Sequence, residues 1–179
     1  HIRTSITVDR HTLIEDDFLS ELSNLLEEYP ELKGRLGIEV TETSILSNDE
    51  MTAMVEGVDA IKALDMGLSV DDFGTGYSGL DFLSRFPYDT LKLDQVFIAS
   101  LNDDQYAQQI LVSVIQMAKD LNMGLVAEGV EREEQLTAIA SLGVERVQGY
   151  YFSRPLEEQK ILSWLEGHEA SAAEPVLSS

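Results

Sequence analysis

Short apolar runs alternate with amphipathic stretches of helical periodicity along most of the chain. The runs are not joined by Asn-Gly dipeptides, which would signal hairpins. Parallel strands need a crossover connection, and a helix usually supplies it. The pattern therefore predicts a parallel sheet built from β/α units. The predicted strands are 6–8, 36–40, 68–70, 88–93, 125–127 and 144–147, and the predicted helices are 17–29, 48–66, a long helix ending at 122, 133–142 and 156–165.

Polar side chains lie at the carboxyl ends of successive predicted strands. A (β/α)8 barrel builds its active site at that rim, whereas an open doubly wound sheet concentrates function at one switch point. Both architectures fit the alternation, but five consecutive polar strand ends favour the barrel. These residues are Glu39, Asp71, Lys92, Glu128 and Gln148.

Composition limits the domain organisation and the partners. With 179 residues, of which 44% are hydrophobic, the chain suits one core. We expect a single domain over residues 1–168 and a disordered tail over residues 169–179. The formal charge of −21 argues against a nucleic-acid polymer as partner. No apolar run approaches the roughly 20 residues of a membrane span, so we expect a cytoplasmic protein without a membrane segment.

The adjacent carboxylates Asp71 and Asp72 indicate a metal site. They leave a buried strand together, and desolvating both is costly unless a cation is bound. The chain has no cysteine, so the ligands must be oxygen or histidine, which favours Mg²⁺ or Mn²⁺. With Glu39, the pair predicts one or two such ions, although a single strand-end carboxylate more often caps a helix.

Two further residues suggest chemistry at the same rim. Lys92 lies between Leu91 and Leu93, so it points into the barrel if these pack outward, or else it pairs with Asp94. Glu128 is flanked by small residues that let a ligand approach, and its carboxylate is suited to accept a proton from water. The loop Gly74-Thr75-Gly76 is either phosphate-binding or a tight turn.

Five segments in order closely resemble the EAL domain family, the bacterial phosphodiesterases of cyclic di-GMP. The resemblance runs from about Ile6 to Leu165. The segments are Ile38-Glu39-Val40-Thr41-Glu42, Asp71-Asp72-Phe73-Gly74-Thr75-Gly76-Tyr77-Ser78, Leu91-Lys92-Leu93-Asp94, Ala127-Glu128-Gly129-Val130-Glu131 and Gln148-Gly149-Tyr150.

The resemblance implies a modified (β/α)8 barrel in which divalent ions activate a water that opens cyclic di-GMP to linear pGpG. It also implies a role for each matching residue. Glu39, Asp71 and Asp72 resemble metal ligands, Lys92 the residue that holds the water, Glu128 the general base, Glu42 the anchor of the glycine-rich loop, and Asp94, Glu131 and Gln148 supporting rim residues. The loop after Asp72 implies a homodimer, and the family implies regulatory or sensory domains in the parent protein.

Two departures from the family pattern shape these expectations. The family's Glu-Ala-Leu segment is absent from the sequence, so we expect a barrel lacking roughly its first two strands and an impaired activity. The family's strand-end Asn ligand corresponds best to Asp9. Two rival functions remain open: a non-catalytic receptor for cyclic di-GMP or a partner protein, and a structural module that pairs through the loop after Asp72.

Overall fold

In the computed structural model, residues 3–41, 48–74, 83, 85–101 and 104–172 are described. Within these residues, six strands form one sheet in which every neighbouring pair is parallel. The strands follow one another in chain order, without the reversal that defines a doubly wound sheet. They are β1 (Thr4–Val8), β2 (Leu36–Thr41), β3 (Gly67–Phe73), β4 (Thr90–Leu93), β5 (Gly124–Ala127) and β6 (Arg146–Val147).

In the described part of the chain, helices follow every strand except β3, as the alternation predicts, and most of the connection from β3 to β4 lies outside the described residues. The sequential parallel order and these connections make the fold a partial TIM-like α/β barrel, with six strands described where a complete barrel has eight. The helices are α1 (Arg10–Leu13), α2 (Asp16–Glu28), α3 (Asn48–Ala63), α4 (Gln95–Ala99), α5 (Gln105–Asp120), α6 (Glu133–Ser141) and α7 (Glu158–Ala172), and a 3-10 turn spans Pro30–Leu32.

Aspartates that follow strands or loops begin three of these helices. Asp9, Asp94 and Asp104 each accept a hydrogen bond from a backbone N–H in the first turn, at 2.8 Å in every case. Such caps satisfy amide groups that have no partner inside the helix. The short helices α1 and α4 were not predicted, because four or five residues are too few to show a helical period.

The buried faces of two helices differ in part from those that hydrophobic spacing predicts, which are Met51, Met54, Val55, Val58 and Ile61 in α3 and Ile110, Leu111, Val114, Met117 and Leu121 in α5. In α3, Met54, Val58 and Ile61 are buried as expected, but Val55 is 42% exposed. In α5, Leu111 is buried as expected and Val114 and Met117 pack against the core, but Ile110 and the C-cap residue Leu121 are exposed. The buried stripe of α5 is Leu111, Ile115 and Ala118.

The error has a physical origin. Apolar residues occupy adjacent positions around α5, so periodicity locates the buried face only approximately: Leu111 lies at its centre, whereas Ile110 and Leu121 lie beyond its edge.

One boundary of the predicted domain also differs. The last helix, α7, continues to Ala172, four residues into the predicted tail, whereas residues 173–179 lie outside the described part of the chain. No helix in the described residues is long and apolar enough to cross a membrane.

Gly149 lets the turn after β6 approach the loop after β5. A Cβ at this position would lie 2.1 Å from the carbonyl oxygen and 2.4 Å from the amide nitrogen of Val130. Two backbone hydrogen bonds close the same contact, from Val130 N–H to Gln148 O at 3.2 Å and from Tyr151 N–H to Val130 O at 2.9 Å. A side chain here would therefore separate the two loops.

We predict that Gly149→Ala lowers the free energy of unfolding by about 2–3 kcal/mol, because backbone atoms cannot move aside as a flexible side chain can. Gly167→Ala is the matched control, since Gly167 lies in α7 with nothing within 4 Å of its added Cβ. The control should stabilise by up to about 1 kcal/mol. Urea denaturation measures both changes, and equal midpoints for the two variants would contradict the prediction.

Candidate active site

A β-bulge presents the two adjacent aspartates. Val70 pairs with Leu91 and Phe73 with Leu93, so three steps along β3 oppose two along β4. Asp72 has a φ of 54°, in the left-handed region that aspartate tolerates better than most residues.

Neighbouring residues of a regular strand point to opposite faces. The bulge removes this alternation, and carboxylate oxygens of Asp71, Asp72 and Glu128 lie within 4.8 Å of one another. Among the described residues this trio is the one group of three or more possible ligands that meets this distance limit.

The ammonium group of Lys92 is surrounded by three carboxylates. Its Nζ lies 2.6 Å from Glu39, 2.8 Å from Asp71 and 2.8 Å from Glu128, and its side chain is 7% exposed. Leu91 and Leu93 are fully buried on either side, so the prediction that Lys92 points into the barrel is confirmed. The alternative pairing with Asp94 is wrong, because the ion pairs of Lys92 in the described structure are those three and Asp94 caps α4.

Glu39 is held from β1 as well as from β4. Its carboxylate accepts hydrogen bonds from Ser5 Oγ at 2.5 Å and Thr7 Oγ1 at 3.3 Å, in addition to the contact with Lys92. Burial acts to raise the pKa of Glu39, but the hydrogen bonds from Lys92 and Ser5 outweigh it, and the pKa is lowered. Glu39 is therefore a firmly ionised partner of Lys92.

The charge balance differs for the other carboxylates. Burial raises the pKa of Glu128 despite the contact with Lys92, and the charges of Asp71 and Glu39 add to the effect. Burial, followed by the charges of Asp71 and Asp94, also raises the pKa of Asp72. For Lys92, three carboxylate hydrogen bonds outweigh the effect of burial and raise the pKa. The carboxylates thus outnumber the cation that they share.

A cavity of about 270 Å³ opens beside the trio at the carboxyl end of the strands. The predicted rim residues Asp94, Glu131 and Gln148 line it together with Asp72 and Glu128. Gln95 and Tyr150 also line it, and the sequence reasoning did not select them as site residues. The signal for Tyr150 was its place two residues after Gln148, whereas nothing in the strand pattern marked Gln95.

Some predicted site residues fall elsewhere. Asp9 is not in the trio, and its Oδ1 accepts the Thr12 N–H as the N-cap of α1, which is the common role of a strand-end carboxylate. Gly74 is exposed with a φ of 102°, and a Cβ there would lie 2.3 Å from the Phe97 ring. Glu42, Thr75 and Gly76 lie outside the described residues.

The chemistry of the donor set fits a hard divalent cation. Mg²⁺, Mn²⁺ and Ca²⁺ bind carboxylate oxygens, and the trio supplies three within one small volume. Two of the three carboxylates have raised pKa values, so a further positive charge would be favoured beside them. The residues therefore fit an acidic metal site, to which Glu39 is linked through Lys92.

Comparison with known proteins identifies the family. The EAL domain model matches residues 1–155, and the chain therefore belongs to the EAL domain family. Cyclic di-GMP phosphodiesterase NbdA of Pseudomonas aeruginosa is 35% identical over 177 residues, which are 99% of this chain and 22% of NbdA. The chain thus spans about a fifth of the length of this relative.

Solved EAL structures share the fold. The EAL domain of Mycobacterium smegmatis DcpA superposes with a TM-score of 0.86 at 30% identity, covering 93% of this chain and 74% of that one. The manganese and cyclic di-GMP complex of Klebsiella pneumoniae BlrP1 gives 0.76 at 34% identity, covering 86% and 39%. That structure shows an EAL protein with a divalent metal and the nucleotide together.

We predict that Lys92→Met lowers the free energy of unfolding of the metal-free protein by about 3–5 kcal/mol at pH 7, because three partly buried carboxylates lose their shared cation. The loss should shrink as the pH falls below about 4.5. Glu39, whose pKa is lowered on folding, stabilises the wild type above its unfolded pKa, and this contribution is lost in acid. In Lys92→Met the same carboxylates are buried without a cation, so their pKa values rise on folding and they take up protons. Acid therefore stabilises the variant relative to the wild type.

Urea denaturation at pH 7 and pH 4 measures the change. Lys160→Met is the matched control, because Lys160 lies on the surface of α7 in an exposed pair with Glu157. A loss for Lys92→Met that is no larger than that of the control would refute the counter-ion role.

Proposed function

We propose that this chain hydrolyses one phosphodiester bond of cyclic di-GMP to give linear pGpG, using one or two Mg²⁺ or Mn²⁺ ions. The proposal rests mainly on the pair Asp71-Asp72 at the β-bulge. Their carboxylates lie close to that of Glu128, which contacts Lys92 and lines the cavity. Membership of the EAL family and the phosphodiesterase relatives support this substrate.

Electrostatics explains why the activity needs metal. Four carboxylates line the cavity, those of Asp72, Asp94, Glu128 and Glu131. In the metal-free protein the Lys92 ammonium contacts three carboxylates. An anionic phosphodiester would be repelled from this mouth. A bound divalent cation supplies the charge that neutralises the phosphate and lowers the pKa of water.

Each residue then has a distinct role. Asp71, Asp72 and Glu39 would hold the ions, and Asp9 would add a further ligand. Lys92 would move one of its three N–H donors from a carboxylate to the attacking water, and Glu128 would accept a proton from that water. Glu128 suits the role of general base by its position, because its carboxylate lies on the cavity wall beside Asp71 and Asp72. Asp94 and Gln148 support the metals and the nucleotide from the cavity wall, and Glu131 supports the nucleotide there.

We predict that Glu128→Gln lowers kcat for cyclic di-GMP by roughly 10²–10⁴-fold, because glutamine cannot accept the proton. Manganese affinity, measured by calorimetry, should change much less than in Asp72→Asn if Glu128 acts as the base. Glu134→Gln, an exposed substitution in α6, is the control and should retain full turnover. Equal losses of metal affinity in Glu128→Gln and Asp72→Asn would make Glu128 a ligand instead.

Asp9→Asn tests the separate assignment of Asp9. Asparagine caps a helix as well as aspartate does, so the stability should change by less than about 0.5 kcal/mol. A side-chain oxygen also remains for a metal. We therefore expect turnover close to wild type in Asp9→Asn and a clear loss in Asp9→Ala, with manganese affinity falling in the latter. An Asp9→Ala variant of unchanged metal affinity would leave Asp9 as a helix cap alone.

The receptor alternative is tested on the same protein. Calorimetry with cyclic di-GMP in Ca²⁺ measures binding, and chromatography after adding Mg²⁺ or Mn²⁺ measures pGpG. Binding followed by hydrolysis supports the enzyme, whereas tight binding without product supports a receptor. A well-folded sample that binds neither metal nor nucleotide would support the structural module.

The wider setting follows from the same proposal. We place the protein in the bacterial cytoplasm, where cyclic di-GMP acts, with regulatory or sensory domains in the parent protein. The homodimer through the loop after Asp72 belongs to this proposal as well, and residues 75–82 of that loop lie outside the described part of the chain.

A further inference from the structure

The buried side chain of Gln135 organises the loop between β5 and α6. Gln135 is 5% exposed and sits in the first turn of α6. Its Oε1 accepts two backbone hydrogen bonds, from Glu131 N–H at 2.9 Å and from Arg132 N–H at 3.0 Å. On its other side, Nε2 lies 3.5 Å from the carbonyl oxygen of Ile98 in α4. One amide thus joins the loop after β5 to the helix that follows β4.

The loop after β5 and the start of α4 both line the cavity. Glu128, Gly129 and Glu131 come from the loop, and Asp94 and Gln95 are the N-cap and the first residue of α4. The loop and α4 are also in contact at the cavity wall, because a Cβ on Gly129 would lie 2.3 Å from the Cβ of Gln95. The buried side chain of Gln135 contacts both parts of this wall from the core side, through Glu131 and Ile98.

The two glutamates of the loop are held by different groups. The Glu128 backbone donates to Leu93 O at 3.0 Å, and its carboxylate is fixed by Lys92 at 2.8 Å. The Glu131 backbone is instead held by Gln135. Loss of the Gln135 acceptor therefore releases Glu131 while Glu128 keeps both of its anchors.

We propose that Gln135 is a positioning residue for nucleotide affinity, acting through Glu131 and the cavity wall and not through the metal or the proton transfer. This inference rests on the proposed function, since it concerns how the same site holds cyclic di-GMP. The inference assigns different roles to two residues of the same loop: Glu128 takes part in the proton transfer, and Glu131 contributes to nucleotide binding.

The test compares Gln135→Met, which keeps the length of the side chain without the acceptor, with Gln135→Glu, which keeps an oxygen for both N–H groups. In Ca²⁺, calorimetry should show that Gln135→Met weakens cyclic di-GMP binding about tenfold. Calcium affinity should stay within about twofold, because the trio is untouched. With Mn²⁺, KM should rise by a similar factor while kcat changes little. Gln135→Glu should restore nucleotide affinity to nearly that of the wild type.

Gln116→Met is the matched control, because Gln116 lies on the exposed side of α5 and bonds only to Asp120 among the contacts described. Amide hydrogen exchange provides a second readout, in which Gln135→Met should speed exchange at Glu131 and Arg132. If Gln135→Met unfolds, Gln135→Asn, whose amide is one methylene too short to reach both groups, takes its place.

Unchanged nucleotide affinity in a folded Gln135→Met or Gln135→Asn would overturn the inference and leave the proposed function intact. Equal falls in kcat and calcium affinity would overturn it too, because the residue would then act on the metal. If the wild type binds no cyclic di-GMP, the proposed function itself fails.

Discussion

The contact of one ammonium group with three carboxylates holds the centre of this barrel together. Lys92 on β4 contacts Glu39 on β2, Asp71 on β3 and Glu128 at the end of β5. Four consecutive strands are thus tied at one point by charge, in addition to their backbone ladders. Taking these groups out of water costs several kcal/mol per ion, which their attraction repays only when the geometry is good. The short distances meet this condition.

The bulge in β3 determines which carboxylates face the cavity. Asp71 contacts Lys92 on the inside of the barrel, and the left-handed φ of Asp72 turns the next carboxylate to the same side. Without the bulge, the two side chains would point to opposite faces of the sheet. Asp72 thus adopts a strained, sparsely populated backbone conformation, and this conformation places two neighbouring carboxylates on one side of the sheet. Such strain is common where proteins bind ligands.

The pattern of polar residues at strand ends predicted the parallel architecture and the convergence of these side chains at the rim. It could do so because the hydrophobic neighbours of a strand residue determine which way its side chain points. Leu91 and Leu93 show this for Lys92, whose inward orientation follows from alternation alone. The bulge could not be predicted, since it depends on the register of β3 against β4 and not on either strand by itself. Nor could the hydrogen bonds by which Gln135 links the loop after β5 to α4, because in the sequence Gln135 is an ordinary residue near the start of a helix.

Metal affinity and folding must be coupled in this site. The folded chain gathers Asp72 and Glu128 beside charges of the same sign, and burial together with this repulsion raises both pKa values. The same repulsion favours a divalent cation in the folded state over the unfolded chain, where the carboxylates are apart and hydrated. The positive charge of Lys92 offsets part of this repulsion. The rest of the repulsion remains between the carboxylates at the mouth of the cavity. Binding of the proposed anionic nucleotide to a chain of net charge −21 would therefore depend on the cations that its excess of carboxylates attracts.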